Sequence, residues 1–287
     1  MDWATLGQML WCGIERGAIY ILFALGLTLC FGVMRIVNMA HGELFMLGAM
    51  GVYSLMTYFG MSFFPAMLLC IALVAILGIA FNRVAVEPFV IRNPLAVLLS
   101  TIAVSFVLVQ GGNAFWGAIP RTLEFPFPQV LNVASVSVSA KGIAAVIVSA
   151  ITVFTVYLFL TKAKMGKAMR ATSENAIGST LVGINVKRIY VYTMMVASAI
   201  AATAGIFAMS SVTASPSMGQ GLLIIGFVVV IVGGMGNIMG CIVVGLTLGI
   251  VEAIFGQYVS MIFRQAFLYG IMVVVLLVKP QGLFGGR

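Results

Sequence analysis

Apolar residues run along this chain in long blocks separated by short polar gaps. Nine blocks are legible, at about 9–31, 44–59, 64–82, 94–112, 142–161, 189–212, 221–235, 238–256 and 259–278. Crossing a bilayer as a helix takes about 20 predominantly apolar residues. The pattern therefore predicts an all-α, polytopic integral membrane protein of about 8–9 transmembrane helices. The block 221–235 is short, and Gly233, Gly234 and Gly236 separate it from the next. If it is re-entrant or broken, eight crossings remain. The longest gap, about 113–141, carries Pro120, Pro126 and Pro128, then an alternating stretch from Val133 to Val138 that suits a short strand or an interfacial turn. No gap is long enough for a soluble domain, so 1–287 reads as a single transmembrane domain.

Composition agrees with the pattern. Of 287 residues, 62% are hydrophobic and 8% charged, against about 25% charged in ordinary soluble domains. Fifteen basic and seven acidic side chains cannot cover a soluble surface. The high hydrophobicity equally excludes a disordered chain. The net charge of +8 could suggest nucleic acid, but in a membrane protein it reflects the positive-inside rule, and no nucleic-acid partner is expected. His41 is the one histidine, which excludes an HExxH metal site. Cys12, Cys30, Cys70 and Cys241 lie far apart in apolar stretches and read as packing thiols. Met1-Asp2-Trp3 has no basic n-region, so no removable signal peptide is expected.

The basic residues set orientation. Arg83 and Arg92 lie in one gap. Lys162, Lys164, Lys167, Arg170, Lys187 and Arg188 lie in another, Lys279 and Arg287 in the tail, and Arg35 after the first block. Nine crossings put all of these on one side, leaving Arg16, Arg121, Lys141 and Arg264 elsewhere. The richer side is the cytoplasm, with the N-terminus outside and the C-terminus cytoplasmic.

Three stretches carry chemistry. Between the first two blocks, Arg35, Asn38, His41 and Glu43 interrupt apolar sequence. At helical spacing Asn38 and His41 share a face. Such groups line a bundle interior or water-filled cavity, or else sit in an interfacial loop among headgroups. Catalysis by His41 and Glu43 is a third reading, without a nucleophile pattern to support it. In the second stretch, residues 162–188, Ile177, Leu181 and Ile184 follow Ser173 at spacings of four and three. They mark one short amphipathic helix from about Ser173, ending near Gly183. It either lies on lipid or presents its stripe to a groove on a partner. The third stretch is rich in small residues. Gly13/Gly17, Gly236/Gly240 and Gly245/Gly249 are each four apart, a spacing that lets helices approach closely. Gly233, Gly234, Gly236 and Gly240 fail the GxGxxG spacing of a dinucleotide loop and suit a tight turn. Glu252 follows, either functional or interfacial. A P-loop is absent, since Gly166-Lys167 is followed by Ala168.

Together these stretches resemble one family. Gly26-Leu-Thr-Leu-Cys-Phe-Gly-Val-Met-Arg-Ile-Val-Asn-Met-Ala-His-Gly-Glu-Leu44 is similar to the signature of LivH-type permeases of branched-chain amino acid ABC transporters. So are Arg170-Ala-Thr through Asn175 to Leu181-Val-Gly-Ile-Asn185, Val232 to Gly240, and Lys279-Pro-Gln-Gly-Leu-Phe-Gly285. The matches run from about 13 to 285. The visible departure is Asn237, where members commonly have serine. The resemblance implies a bacterial inner-membrane importer, with the whole chain as its permease domain. It implies as partners a second, LivM-like permease, two ABC ATPase subunits and a periplasmic substrate-binding protein. The chain would bind no cofactor, ATP and Mg being held by the ATPases, and it would be no enzyme. Arg170, Glu174, Asn175, Leu181, Gly183 and Ile184 would belong to the segment that couples to an ATPase, which favours the partner groove over lipid. Asn38, His41 and Glu43 would contact substrate or hold a gate. Urea, short-chain amide or other amino-acid importers are the alternative within the resemblance. A secondary transporter, which would show inverted repeats and midplane acids, a membrane-embedded enzyme and a channel are the rivals outside it.

Overall fold

The computed structural model describes residues 3–90, 93–123, 125–126, 129–133, 136–209 and 211–285. Met1, Asp2, Arg92, Pro128 and Arg287, used above, lie outside the described residues. Helix α1 spans Trp3–Leu29, α2 His41–Phe59, α3 Phe63–Phe81 and α4 Pro94–Trp116. A hairpin of β1 (Val130–Val133) and β2 (Val136–Ser139) leads into α5 (Ala140–Lys162). Two short helices follow, α6 (Lys164–Glu174) and α7 (Ala176–Leu181). The chain ends with α8 (Val186–Ala208), α9 (Met218–Gly233), α10 (Ile238–Tyr258) and α11 (Arg264–Val278). The protein is thus an all-α polytopic membrane protein with one small hairpin, whose antiparallel register pairs Val130 with Ser139 and Val133 with Val136.

Among the described residues, α1, α3, α4, α5, α8 and α10 are long and apolar enough to cross a membrane. Helices α9 and α11 are apolar but shorter. At 1.5 Å per residue the 16 residues of α9 reach about 24 Å, short of a hydrocarbon core of about 30 Å. Side-chain caps set the starts of α5, α8 and α10, and in α5 and α8 the helix begins before its apolar block. Asn185 accepts from the Arg188 amide, which draws Lys187 and Arg188 into α8. Asn237 accepts from Gly240 and Ser139 from Gly142. Helix α11 starts five residues after its block, because 259–263 is a bend in which the Phe263 amide reaches the Ser260 hydroxyl.

Helix α1 is the axis of the bundle: 89% of its most apolar stretch is buried, against 22% for α4 and for α5. Lipid tails are as apolar as leucine, so no hydrophobic force drives helix against helix in a membrane, and close contact depends on small residues. The α1–α10 crossing shows this directly. A Cβ added at Gly13 would lie 2.6 Å from the Ile250 Cα, and one at Gly17 3.0 Å from the Leu246 Cα. From the other side, a Cβ on Gly249 would lie 2.5 Å from the Gly13 carbonyl oxygen and the Gly17 amide nitrogen. The α2–α8 contact repeats the device, with Gly48 against Ala202 and Gly205 against the Phe45 carbonyl.

Gly233 and Gly240 face each other across the α9–α10 turn. Gly234 and Gly236 within it have φ of 98° and 85°, a region in which a side chain is strained. Gly236 is therefore a turn residue packed on Gly32, and the Gly236/Gly240 spacing is not one helix face. The C-terminal tail clamps this turn. The Leu283 amide donates to the Val232 carbonyl at 2.7 Å, and Asn237 Nδ2 donates to the Phe284 carbonyl at 2.8 Å.

Gly249→Ala should destabilise the folded chain by about 1–3 kcal/mol, the usual cost of overpacking. Gly270→Ala, on α11 with open space around it, should be neutral or stabilise by up to about 1 kcal/mol. Thermal unfolding of both variants in detergent checks the contrast.

A candidate translocation site where two helices begin inside the bundle

The segment after α1 has an unusual course. Helix α1 continues through a widened turn at Cys30–Met34, and Arg35 then takes a left-handed conformation at φ 54°. Its exposed guanidinium donates to the Ser173 carbonyl at 3.2 Å, which places Arg35 at the α6 end of the bundle. From there residues 36–40 run into the protein, and α2 starts at His41, deep inside. Glu43 meets Ser105, which lies midway along α4. A Cβ on Gly26 would lie 2.7 Å from the His41 ring and 3.0 Å from the carbonyl of Ala197, midway along α8.

The start of α9 comes to the same place. A Cβ on Gly42 would lie 2.5 Å from the Gly219 carbonyl oxygen, and one on Gly219 2.0 Å from that of Gly42. The first turns of α2 and α9 therefore touch backbone to backbone. Helices that start at mid-depth expose unpaired amide groups in a nonpolar medium, which is tolerated only where protein or a water-filled cavity surrounds them. Broken helices of this kind form binding sites in many transporters.

The side chains there are satisfied in part, His41 Nδ1 and Glu43 Oε2 having no hydrogen-bond partner among the described residues. Asn38 is not on a helix face with His41: it precedes α2 in irregular backbone, where its Oδ1 accepts from the Ala40 amide at 3.0 Å. The Met39 amide donates to Thr101 Oγ1 at 3.2 Å. His41 Nε2 lies 3.2 Å from the Phe23 carbonyl, and its ring stands edge-on to Phe23 with centroids 5.0 Å apart. Ser105 Oγ donates to Glu43 Oε1 at 2.8 Å, while Oε2 has no partner among the described residues. Glu43 occupies the first turn of α2, where the positive end of the helix dipole favours a carboxylate. Asn38, His41 and Glu43 are buried, so the headgroup alternative fails for all three; their surroundings are protein. Thr101 and Ser105 escaped the reading of sequence. Their spacing of four on apolar α4 was the available signal.

The segment 162–188 forms two helices rather than one. Asn175 is extended at φ −150° and ψ 100°, ending α6 and capping α7 through Oδ1 to the Gly178 amide at 2.8 Å. An Asx cap competes with the helical path of the backbone, so the apolar stripe is interrupted where the residue spacing suggested continuity. Ser173 and Glu174 end α6, and Arg170 lies within it. On α7, Ile177 and Leu181 are 77% and 83% exposed, as is neighbouring Val182 at 78%. Ile184 is half-buried against the core. Gly183, at φ 86°, terminates the unit. Lys187 pairs with Glu87 across 3.9 Å, tying the start of α8 to the end of the widened turn Asn82–Val86 that follows α3.

Arg170 and Glu174 line, with Gly236 and Asn237, a groove of about 1080 Å³ between α1, α5 and α10. Asn38, His41 and Glu43 do not line it.

These observations define a helical, multi-pass membrane protein with discontinuous helices and an exposed apolar segment at one end, the build of a permease. Residues 10–276 match the family described as branched-chain amino acid transport system, permease component, and the chain belongs to it. It is 29% identical to the high-affinity branched-chain amino acid transport system permease protein BraD of Pseudomonas aeruginosa, covering 97% of this chain and 95% of that one. It is 28% identical to LivH of Salmonella typhimurium, with the same coverage. Among solved structures, PsaBC from Streptococcus pneumoniae in complex with Fab aligns over 97% of this chain and 91% of its own at 14% identity, with a TM-score of 0.47.

Ser105→Ala removes the hydrogen bond to a buried carboxylate and should cost about 1–3 kcal/mol. Ser105→Thr, which keeps the hydroxyl, should recover most of it. Unfolding of the two variants in mixed micelles makes the comparison.

Proposed function

We propose that this chain is the permease subunit of an ATP-driven importer in the bacterial inner membrane, and that it carries leucine, isoleucine and valine by alternating access. Its N-terminus lies outside and its C-terminus in the cytoplasm, and residues 1–287 act as one permease domain. A second, LivM-like permease completes the path, and lipid covers the remaining outer faces. Two ABC ATPase subunits hold ATP and Mg, and a periplasmic binding protein delivers the amino acid.

The observation that carries the reading is α7. Ile177, Leu181 and Val182 present apolar surface at the basic end of the bundle, on a segment bonded to the rest of the protein. An exposed apolar helix face is a docking element for a groove. Closure of the ATPases on ATP pulls on this segment. The displacement passes through the Ser173–Arg35 bond to α1 and through Lys187–Glu87 to α3 and α4. Each ligand favours one arrangement of the helices, which is the requirement for coupling. Arg170, Glu174, Asn175, Gly183 and Ile184 give the segment its shape.

Within the path, Glu43 is placed to receive the substrate ammonium through its free Oε2. Asn38 and His41 hold the irregular segment beside it as gate hydrogen bonds. The apolar side chain of the substrate needs only a permissive apolar surface.

Leu181→Asp and Gly183→Val should each lower leucine uptake about tenfold, a loss of about 1.4 kcal/mol in coupling, with ATPase activity no longer stimulated by loaded binding protein. Assembly in membranes should be unchanged. Wild-type uptake and stimulation in both variants would remove α7 from the ATPase contact.

A further inference from the structure

Away from the α2–α9 junction and the coupling segment, one charged cluster is used by nothing described so far. Glu252 on α10 is buried, at 2% exposure, beyond the glycine crossing from the Gly234–Gly236 turn. Arg264 Nε lies 2.8 Å from its Oε1, Arg16 Nη1 lies 3.5 Å from the same oxygen, and the Tyr20 hydroxyl donates to Oε2. Three helices, α1, α10 and α11, converge on one carboxylate.

The charges do not cancel. Two guanidinium groups share a single carboxylate, leaving one positive charge in excess. Their remaining N–H groups have no hydrogen-bond partner among the described residues. Arg16 and Arg264 are partly exposed, at 33% and 28%, so their guanidinium groups stay reachable from outside the protein. Both line a cavity of about 420 Å³, within the size range of small-molecule sites. Its wall joins the arginines and Glu252, whose carboxylate they already engage, to Gln257 and to apolar Met9, Cys12 and Ala253. A guanidinium fork binds carboxylate in bidentate geometry, and Glu252 Oε1 lies within 3.5 Å of both guanidinium groups.

We infer that this cavity is a carboxylate-binding subsite: Arg16 and Arg264 take the α-carboxylate of an amino acid while its aliphatic side chain rests on Met9, Cys12 and Ala253. The inference rests on the proposed reading that amino acids cross here. On the proposed topology the cavity lies on the outer side of the mid-depth junction, so it would load the substrate before Glu43 meets the ammonium. Glu252 also lines the cavity; with its oxygens engaged by the two arginines and Tyr20 it acts as a positioning residue that orients the guanidinium groups.

The test follows thermal unfolding of the full chain, purified in detergent, as ligand is added. Leucine and 4-methylpentanoate, which keeps the carboxylate and lacks the amine, should raise Tm with saturation. Leucinamide and 3-methylbutylamine, which lack the carboxylate, should not. R16Q and R264Q should weaken the apparent Kd for 4-methylpentanoate about tenfold or more, about 1.4 kcal/mol or more. R264K keeps the charge and loses the fork; it should bind with intermediate strength, and it serves if R264Q does not fold. Equal shifts from leucinamide and leucine would overturn the subsite, as would no shift with any carboxylate, or wild-type affinity in R16Q and R264K. If acetate saturates the same arginine-dependent response as tightly as leucine, the carboxylate site stands and the branched-chain substrate falls.

Discussion

The backbone-to-backbone crossing of α1 and α10 is the contact on which the rest of the structure depends. In lipid the helices gain nothing from hiding leucine from leucine, so the bundle is held by dispersion at close range. Gly13, Gly17, Gly245 and Gly249 provide that range. With α1 drawn into the centre, other helices can surround it completely. That enclosure permits irregular backbone at mid-depth: residues 36–40 and the first turns of α2 and α9 find partners in protein rather than exposing amides to hydrocarbon. Without the crossing, the buried polar groups at Asn38, His41 and Glu43 would face lipid at several kcal/mol each.

The same arrangement gives α1 a mechanical role in the proposed transport cycle. One end is tied through Arg35 to the coupling segment, its middle packs against His41 and the α10 glycines, and Arg16 and Tyr20 share Glu252 with α11. A displacement at one end would therefore reach both the His41 region and the Glu252 cluster along α1. Interfaces between glycines present few interlocking side chains, which suits small shifts between packed helices. Arg35 adds a strained left-handed turn where α1 meets α6.

Much of the fold was legible in sequence because the bilayer imposes a length and a polarity on each span. Each apolar block overlaps one of the described helices, the glycine turn falls where the pattern put it, and the stretch read as a short strand or turn lies within the β1–β2 hairpin. Three features were not legible, for different physical reasons. The start of α2 at mid-depth depends on which helices surround it, a long-range fact that the block boundary at 44 does not carry. The break at Asn175 turns on one side chain choosing to cap rather than continue a helix, a local competition that apolar spacing ignores. The pairing of Glu252 with Arg16 and Arg264 joins residues 236 apart in the first case, and no periodicity links them. Asn38, His41 and Glu43 were marked by their polarity alone. Their partners Thr101 and Ser105 were hidden because a hydroxyl on a membrane helix usually bonds its own backbone, as Thr101 also does to the Leu98 carbonyl.

The central claim, that this chain moves branched-chain amino acids at the expense of ATP hydrolysed by its partners, is tested most directly by leucine uptake into proteoliposomes holding the complete transporter and its binding protein. The account predicts uptake that requires ATP on the ATPase side and persists when ionophores abolish the membrane potential and proton gradient. Uptake that continues without ATP, or that collapses with the gradients while ATP is maintained, would contradict it.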